Sequence, residues 1–228
     1  MVAPAAMLWS LLRVVEDDIV PATRVGVASG SPLFGAAILS RSNLDVLTVA
    51  TNNGRLSPLL HGELSCIQKF YTSTFPDPAC RPDPRNDTVF VSSHEPCSLC
   101  LSALAWAGFA EFYYLFKYEE TRDLFGFPDD MGILQDVFRV RGNDTDEQLQ
   151  QRELYNAENK RFKGRSMEDM VQEEANETER NSLAEKMKSV KGLYTELHAT
   201  FLEASKANKE AEENAPKPSN CSLDVNKT

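Results

Sequence analysis

The stretch Ser93-His94-Glu95-Pro96-Cys97-Ser98-Leu99-Cys100 constrains this chain more than any other. Two thiols stand three residues apart behind a proline, at the start of an apolar run. Proline suits the first turn of a helix, because its missing N–H would be unpaired there anyway. The i, i+3 spacing then puts both sulfurs on one side of that turn. Exposed N–H groups and the positive end of the helix dipole favour their thiolate form. Upstream, His61-Gly62-Glu63 supplies an imidazole and a carboxylate at the start of a second helix. One histidine and two thiolates fit a catalytic zinc, which takes three protein ligands and leaves one place open. A structural zinc would need a fourth Cys or His, for which Cys66 and Cys80 are the available residues. A lone Cys-x-x-Cys is also compatible with redox chemistry.

His-x-Glu followed by Pro-Cys-x-x-Cys resembles the metal site of the cytidine and deoxycytidylate deaminase superfamily. The resemblance runs from about Met7 to Val140, and Leu193 to Lys206 resembles the family's C-terminal helix. It implies an α/β fold of three α/β/α layers with a mixed central sheet and a helical C-terminal extension. It implies Zn2+ held by His61, Cys97 and Cys100, with Glu63 as general acid/base and not a ligand. The implied reaction is hydrolytic deamination of a nucleobase, nucleoside or nucleotide, with cytosine-type substrates favoured. Water adds at the ring carbon bearing the amino group, Glu63 passes the proton to the ring nitrogen and then the amine, and ammonia leaves. In the family an asparagine in the loop before the His-x-Glu helix contacts sugar or base. Asn52 and Asn53 both occupy about that place, and both also read as plain turn residues after a strand. Gly62 stands where the family commonly has alanine, and its backbone N–H can still serve the base. Family members often pair as homo-oligomers.

The charge balance bears on partners. The formal net charge is −10, which weighs against nucleic acid as a partner because such binding relies on Lys and Arg neutralising phosphates. The expected partner is a small-molecule substrate. A tRNA-adenosine deaminase-like subunit and a non-catalytic deaminase-fold interaction protein are the alternatives. An intact Glu63 argues against the second, since a scaffold needs no proton shuttle. No apolar run approaches the roughly 20 residues of a membrane span, so no membrane association is expected. Met1 to Leu12 lacks a basic start and reads as a first helix rather than a targeting segment. Five cysteines, two of them in a metal-like pair, favour reduced thiols in an intracellular setting, the cytoplasm or the nucleus.

Along the chain, Leu8, Leu11, Leu12, Val15 and Ile19 have helical spacing, and Pro21 ends that helix or lies just past its end. Phe34 to Leu39 and Leu44 to Ala50 read as a hairpin. Leu64, Ile67, Phe70 and Tyr71 form the apolar stripe of the His61 helix. Thr88 to Ser92 is a strand. The Cys97 helix runs to about Ala107, with Leu101, Leu104 and Ala105 inward, and Gly108 stops it. Glu111 to Phe116 is a further strand. Ile133 to Val140 reads equally as a last helical turn or a fifth strand. His94 reads as a loop histidine near the rim of the site, Glu95 as a maker of structural hydrogen bonds, and Trp106 as core. Residues 1–140 form the expected deaminase domain. Residues 141–205 form a charged, largely helical extension, and 206–228 a disordered tail.

Overall fold

The structure, a computed structural model, describes residues 4–136, 145–151, 155, 157–158 and 162–214. Helix α1 (Pro4–Val14) does not stop at the proline. It passes through a π-helical turn, Val15–Ile19, into α2 (Val20–Ala28). The Val20 N–H donates to Val15 O, a wider reach than the α-helical bond. Pro21 has no N–H to give and its ring crowds the preceding turn, so the widened turn absorbs it and the helix continues to Ala28. Leu8, Leu11, Leu12, Val15 and Ile19 are all buried.

The hairpin forms as β1 (Gly35–Ser40) and β2 (Val46–Thr51), antiparallel, with a register shift between Ile38 and Leu39. Helix α3 (Gly62–Lys69) follows, continued by a π-helical turn, Phe70–Thr74. Strand β3 (Thr88–His94) is longer than its sequence pattern suggests and is buried throughout. Helix α4 (Ser98–Ala107) ends at Gly108, whose φ of 87° is the left-handed conformation that favours glycine. Strand β4 (Glu111–Phe116) is followed by α5 (Tyr118–Phe125) and α6 (Asp129–Asp136). Residues 133–136 are therefore helical, and 137–140 lie outside the described residues. Then come α7 (Asp146–Gln151), β5 (Lys163–Ser166), α8 (Met167–Glu173) and α9 (Glu177–Asn214).

The strand order is β2-β1-β3-β4-β5. Strand β1 is antiparallel to both β2 and β3, while β3, β4 and β5 run parallel. The sheet is thus mixed, and helices cover both faces in an α/β/α sandwich. On one face Cys66 and Phe70 of the α3 segment and Leu101 and Leu104 of α4 pack against Ile38, Phe90 and Phe112. On the other, α1, α2, α8 and α9 pack against Ala37, Leu39, Val89, Val91 and Leu115. Residues on both sides of position 140 share this second cluster.

Among the described residues the fifth strand lies later in the chain. It is the polar run Lys163-Gly164-Arg165-Ser166, within the stretch read from sequence as helical extension. Backbone pairing to β4 makes it a strand. Gly164 is required there, because a Cβ would come within 2.5 Å of the Phe112 ring. Helix α9 is longer than Leu193, Leu197, Phe201 and Leu202 alone indicate. Leu183, Val190, Tyr194 and Leu197 form its buried face, each contributing about 1.5–3 kcal/mol of apolar burial. Lys191 Nζ reaches Glu120 Oε1 at 2.5 Å, and Lys186 pairs with Glu16. The helix continues beyond residue 206 to Asn214, and residues 215–228 lie outside the described residues.

Candidate metal centre

Two helix starts meet at the ends of β1 and β3. His61 is the N-cap of α3, with φ −61° and ψ 162°. Cys97 is the N-cap of α4, with φ −63° and ψ 170°. Both are extended residues just outside a helix, so their side chains swing toward the same space. Cys100 lies one turn into α4. His61 Nδ1 is 3.4 Å from Cys97 Sγ and 3.7 Å from Cys100 Sγ, and the three donor atoms lie within 4.8 Å of one another. Cys97 and Cys100 are buried. This nitrogen and two sulfurs suit a borderline-soft dication such as zinc.

Glu63 sits beside this group. It is 5% exposed, and the Cys100 thiol donates to its Oε2 at 3.4 Å. The apolar stripe expected for α3 omitted it. The buried face is instead Gly62, Glu63, Cys66 and, one turn on, Phe70, with Leu64 and Ile67 on the flank. Burial first, and the nearby Cys97 thiolate second, push the Glu63 carboxyl up to about 7. Hydrogen bonds from Cys100, then His61, hold the Cys97 thiol down at about 4 against the effect of burial. The same Cys97 hydrogen bond is the largest effect raising His61.

No fourth protein ligand joins His61, Cys97 and Cys100 among the described residues. The Cys66 thiol points into the core and donates to Thr48 O at 3.6 Å, while Cys80 is exposed and donates to Asp77 at 3.7 Å. Cys221 lies outside the described residues. A structural four-ligand site built on Cys66 or Cys80 has no support in this arrangement.

Residues 18–116 match the family described as the cytidine and deoxycytidylate deaminase zinc-binding region. The match covers less than half of the chain. It takes in the hairpin, both helix starts and the three donor residues, so the matched stretch contains the whole metal group. Among solved structures, the chain is similar to guanine deaminase from Bacillus subtilis, at 25% identity over 56% of this chain and 76% of that one, with a TM-score of 0.44. It is similar to guanine deaminase from Nitrosomonas europaea, at 16% identity over 83% of this chain and 85% of that one, with a TM-score of 0.42. It is also similar to a structure from work on tRNA:A34 deaminases, at 18% identity over 43% of this chain and 72% of that one, with a TM-score of 0.36. No curated protein matches the chain in sequence.

The two asparagines of the deaminase region separate. Asn52 is 6% exposed, and its Oδ1 is buried without a hydrogen-bond partner. Its backbone N–H donates to Phe34 O at 3.0 Å. Asn53 is exposed and its backbone serves a turn, the N–H donating to Leu60 O and the carbonyl accepting from the Leu56 and Ser57 N–H groups. Both line a groove of about 480 Å³ between α2 and α3, whose walls include none of His61, Glu63, Cys97 and Cys100.

Two further expectations change. His94 is the last residue of β3, not a loop residue, and is 2% exposed. Its ring stacks on Phe116 and meets Phe34, Phe125 and Tyr194 edge-on. Burial in this apolar cage pushes its pKa down to about 3. Trp106 is 88% exposed rather than core, because it lies on the outer face of α4. Asp130, which the sequence reading passed over, is a second carboxylate in the electrostatic neighbourhood of the site. Burial, and then the Cys97 thiolate, raise it to about 6. No local motif marks it, since α6 brings it there through the fold. Glu95 makes the structural hydrogen bonds expected of it, accepting from the Tyr118 N–H at 3.0 Å and the Tyr155 hydroxyl at 2.5 Å. Among the described residues, no helix is long and apolar enough to cross a membrane.

Proposed function

We propose that this chain is a hydrolytic zinc deaminase of a nucleobase, nucleoside or nucleotide, with a cytosine-type ring as the favoured substrate. The observation that carries the reading is Glu63, a buried carboxylate at 3.4 Å from the sulfur of Cys100, beside a donor group of only three protein ligands among the described residues.

His61, Cys97 and Cys100 would hold the metal. When bound, zinc makes water acidic enough to be used near neutral pH. A neutral imidazole and two thiolates balance the charge of a dication. Burial raises the Glu63 carboxyl above the usual carboxylate range, which favours a group that both takes and returns a proton. Glu63 Oε2 would accept the proton from water, deliver it to the ring nitrogen, and then pass a second to the departing amine. The sum is water consumed, a carbonyl left on the ring, and ammonia released. The Gly62 N–H would contact the ring edge. Asn52 is the better placed of the two asparagines to contact base or sugar, because its side-chain oxygen is buried and unpartnered. Asn53 has an exposed side chain, and the turn uses only its backbone.

The test is ammonia release by purified, zinc-loaded protein from cytosine, cytidine, deoxycytidylate, guanine and adenosine. Release from a cytosine-bearing compound supports the full reading. Release from purines alone removes the cytosine assignment and keeps the reaction class. Release from none, with zinc bound, ends the enzymatic reading in favour of an interaction protein. A tRNA substrate is disfavoured by the net charge of −10 and by the two carboxylates at the site.

A further inference from the structure

Gly62 is helical, and its φ is not positive, so glycine is not needed there for backbone freedom. The reason is space. A Cβ on residue 62 would lie 2.8 Å from Phe34 O and 2.9 Å from both Phe34 C and Gly35 Cα. All three are backbone atoms, so no flexible side chain can step aside.

The Phe34–Gly35 peptide cannot retreat either. Phe34 O accepts from the Asn52 N–H at 3.0 Å and from Thr51 Oγ1 at 2.8 Å. The Gly35 N–H donates to Ser93 Oγ at 3.0 Å. On its far side Gly35 is itself tight against the first helices, where a Cβ would come within 2.8 Å of Ile19 Cγ2. Two glycines therefore meet back to back, one at the start of β1 and one at the start of α3. A side chain at 62 is accommodated only if α3 moves away from the sheet. That movement carries His61 and Glu63, its two chain neighbours. Cys97 and Cys100 stay on α4, held through Glu95, whose N–H donates to Phe116 O at 2.8 Å.

We infer that Gly62 is a positioning residue: its bare contact with the Phe34–Gly35 peptide sets the distance of His61 and Glu63 from the two sulfurs. The inference rests on the metal reading above. It also links Asn52 to the same joint, because the Asn52 N–H donates to Phe34 O.

The experiment compares Gly62→Ala with the wild-type full chain. Zinc affinity is measured by competition with a chromophoric chelator, the Co2+-loaded absorption spectrum reports ligand geometry, and thermal unfolding reports packing. The expected result is a zinc affinity lowered about tenfold or more, as for other groups that orient metal ligands, with shifted Co2+ bands. A lower unfolding temperature with wild-type affinity and bands overturns the inference, since the role is then packing alone. Wild-type behaviour in all three overturns it as well. If Gly62→Ala does not fold, Thr51→Val loosens the same peptide without adding volume. It is expected to shift the Co2+ bands in a milder way, and unchanged bands overturn the inference. A wild-type protein that takes up neither metal fails at the earlier step, the reading of the site, and removes this inference with it.

Discussion

The Cys100 thiol donates to Glu63 Oε2 across 3.4 Å, so a metal ligand and the proposed proton carrier are immediate neighbours on different helices. Glu63→Gln keeps the volume and an acceptor oxygen but cannot take a proton. It should retain wild-type zinc stoichiometry while turnover falls by about 10²–10⁴-fold. Metal analysis alongside ammonia release checks this. Zinc lost together with activity would contradict the assigned role.

Cys97 has a thiol held well below its ordinary range by its hydrogen bonds, and it caps α4. Cys97→Ala should abolish stoichiometric zinc binding and lower the unfolding temperature, because binding energy at such a site is also folding energy. Unchanged zinc content in the variant would remove Cys97 from the ligand set.

His94 gives a pH prediction. Burial holds its pKa at about 3 in the fold against an ordinary value of 6.5, so the unfolded chain binds the proton more readily. Its contribution is fully present above pH 6.5 and is lost as pH falls toward 3, at up to about 1.4 kcal/mol per pH unit. Glu63 and Asp130 have raised pKa values and act in the opposite direction, so total stability alone does not isolate it. The difference between wild type and His94→Phe does. Urea midpoints at pH 7.5, 6 and 5 should show a shallower acid loss in the variant, and parallel curves would refute the effect.

Asn52 and Asn53 should behave differently. A buried oxygen without a partner costs about 1–3 kcal/mol, so Asn52→Ala should not lower the unfolding free energy. With substrate it should raise KM roughly tenfold, the value of one lost hydrogen bond. Asn53→Ala should leave KM unchanged. Equal effects from both would dissolve the distinction.

Trp106 and Leu104 lie on opposite faces of α4. Trp106→Ser should change stability by no more than about 0.5 kcal/mol, whereas Leu104→Ala should cost about 2–5 kcal/mol. Chemical denaturation of the two variants settles which face is inside.

The metal group was legible because its information is local and chemical. Few arrangements of His-x-Glu and Pro-Cys-x-x-Cys serve anything but one metal, and the two helix starts followed from proline and the spacing. The strands β1 to β4 were legible because their side chains are buried and apolar. Strand β5 was not, because Lys163, Gly164 and Arg165 carry no hydrophobic pattern and only pairing with β4 defines them. Pro21 misled because a widened turn accommodated it, which propensity does not encode. Glu63 was assigned a role from its motif, but its burial was invisible, since a carboxylate breaks the apolar stripe on the face that is in fact inward. Trp106 shows the converse: a large aromatic next to core positions, left outside by the phase of the helix. Asp130 comes close to the site only through the turn at Gly126 and the seating of α6.

Tyr194 of α9 meets both His94 and Phe116 edge-on, at 5.5 and 5.1 Å. His94 stands three positions before Cys97. The floor beneath the metal loop is therefore made by a residue more than ninety positions later in the chain. As the polypeptide leaves the ribosome, the ligands emerge long before the helix that props them. A chain cut before α9 would present the loop that carries Cys97 without the Tyr194 ring behind His94 and Phe116.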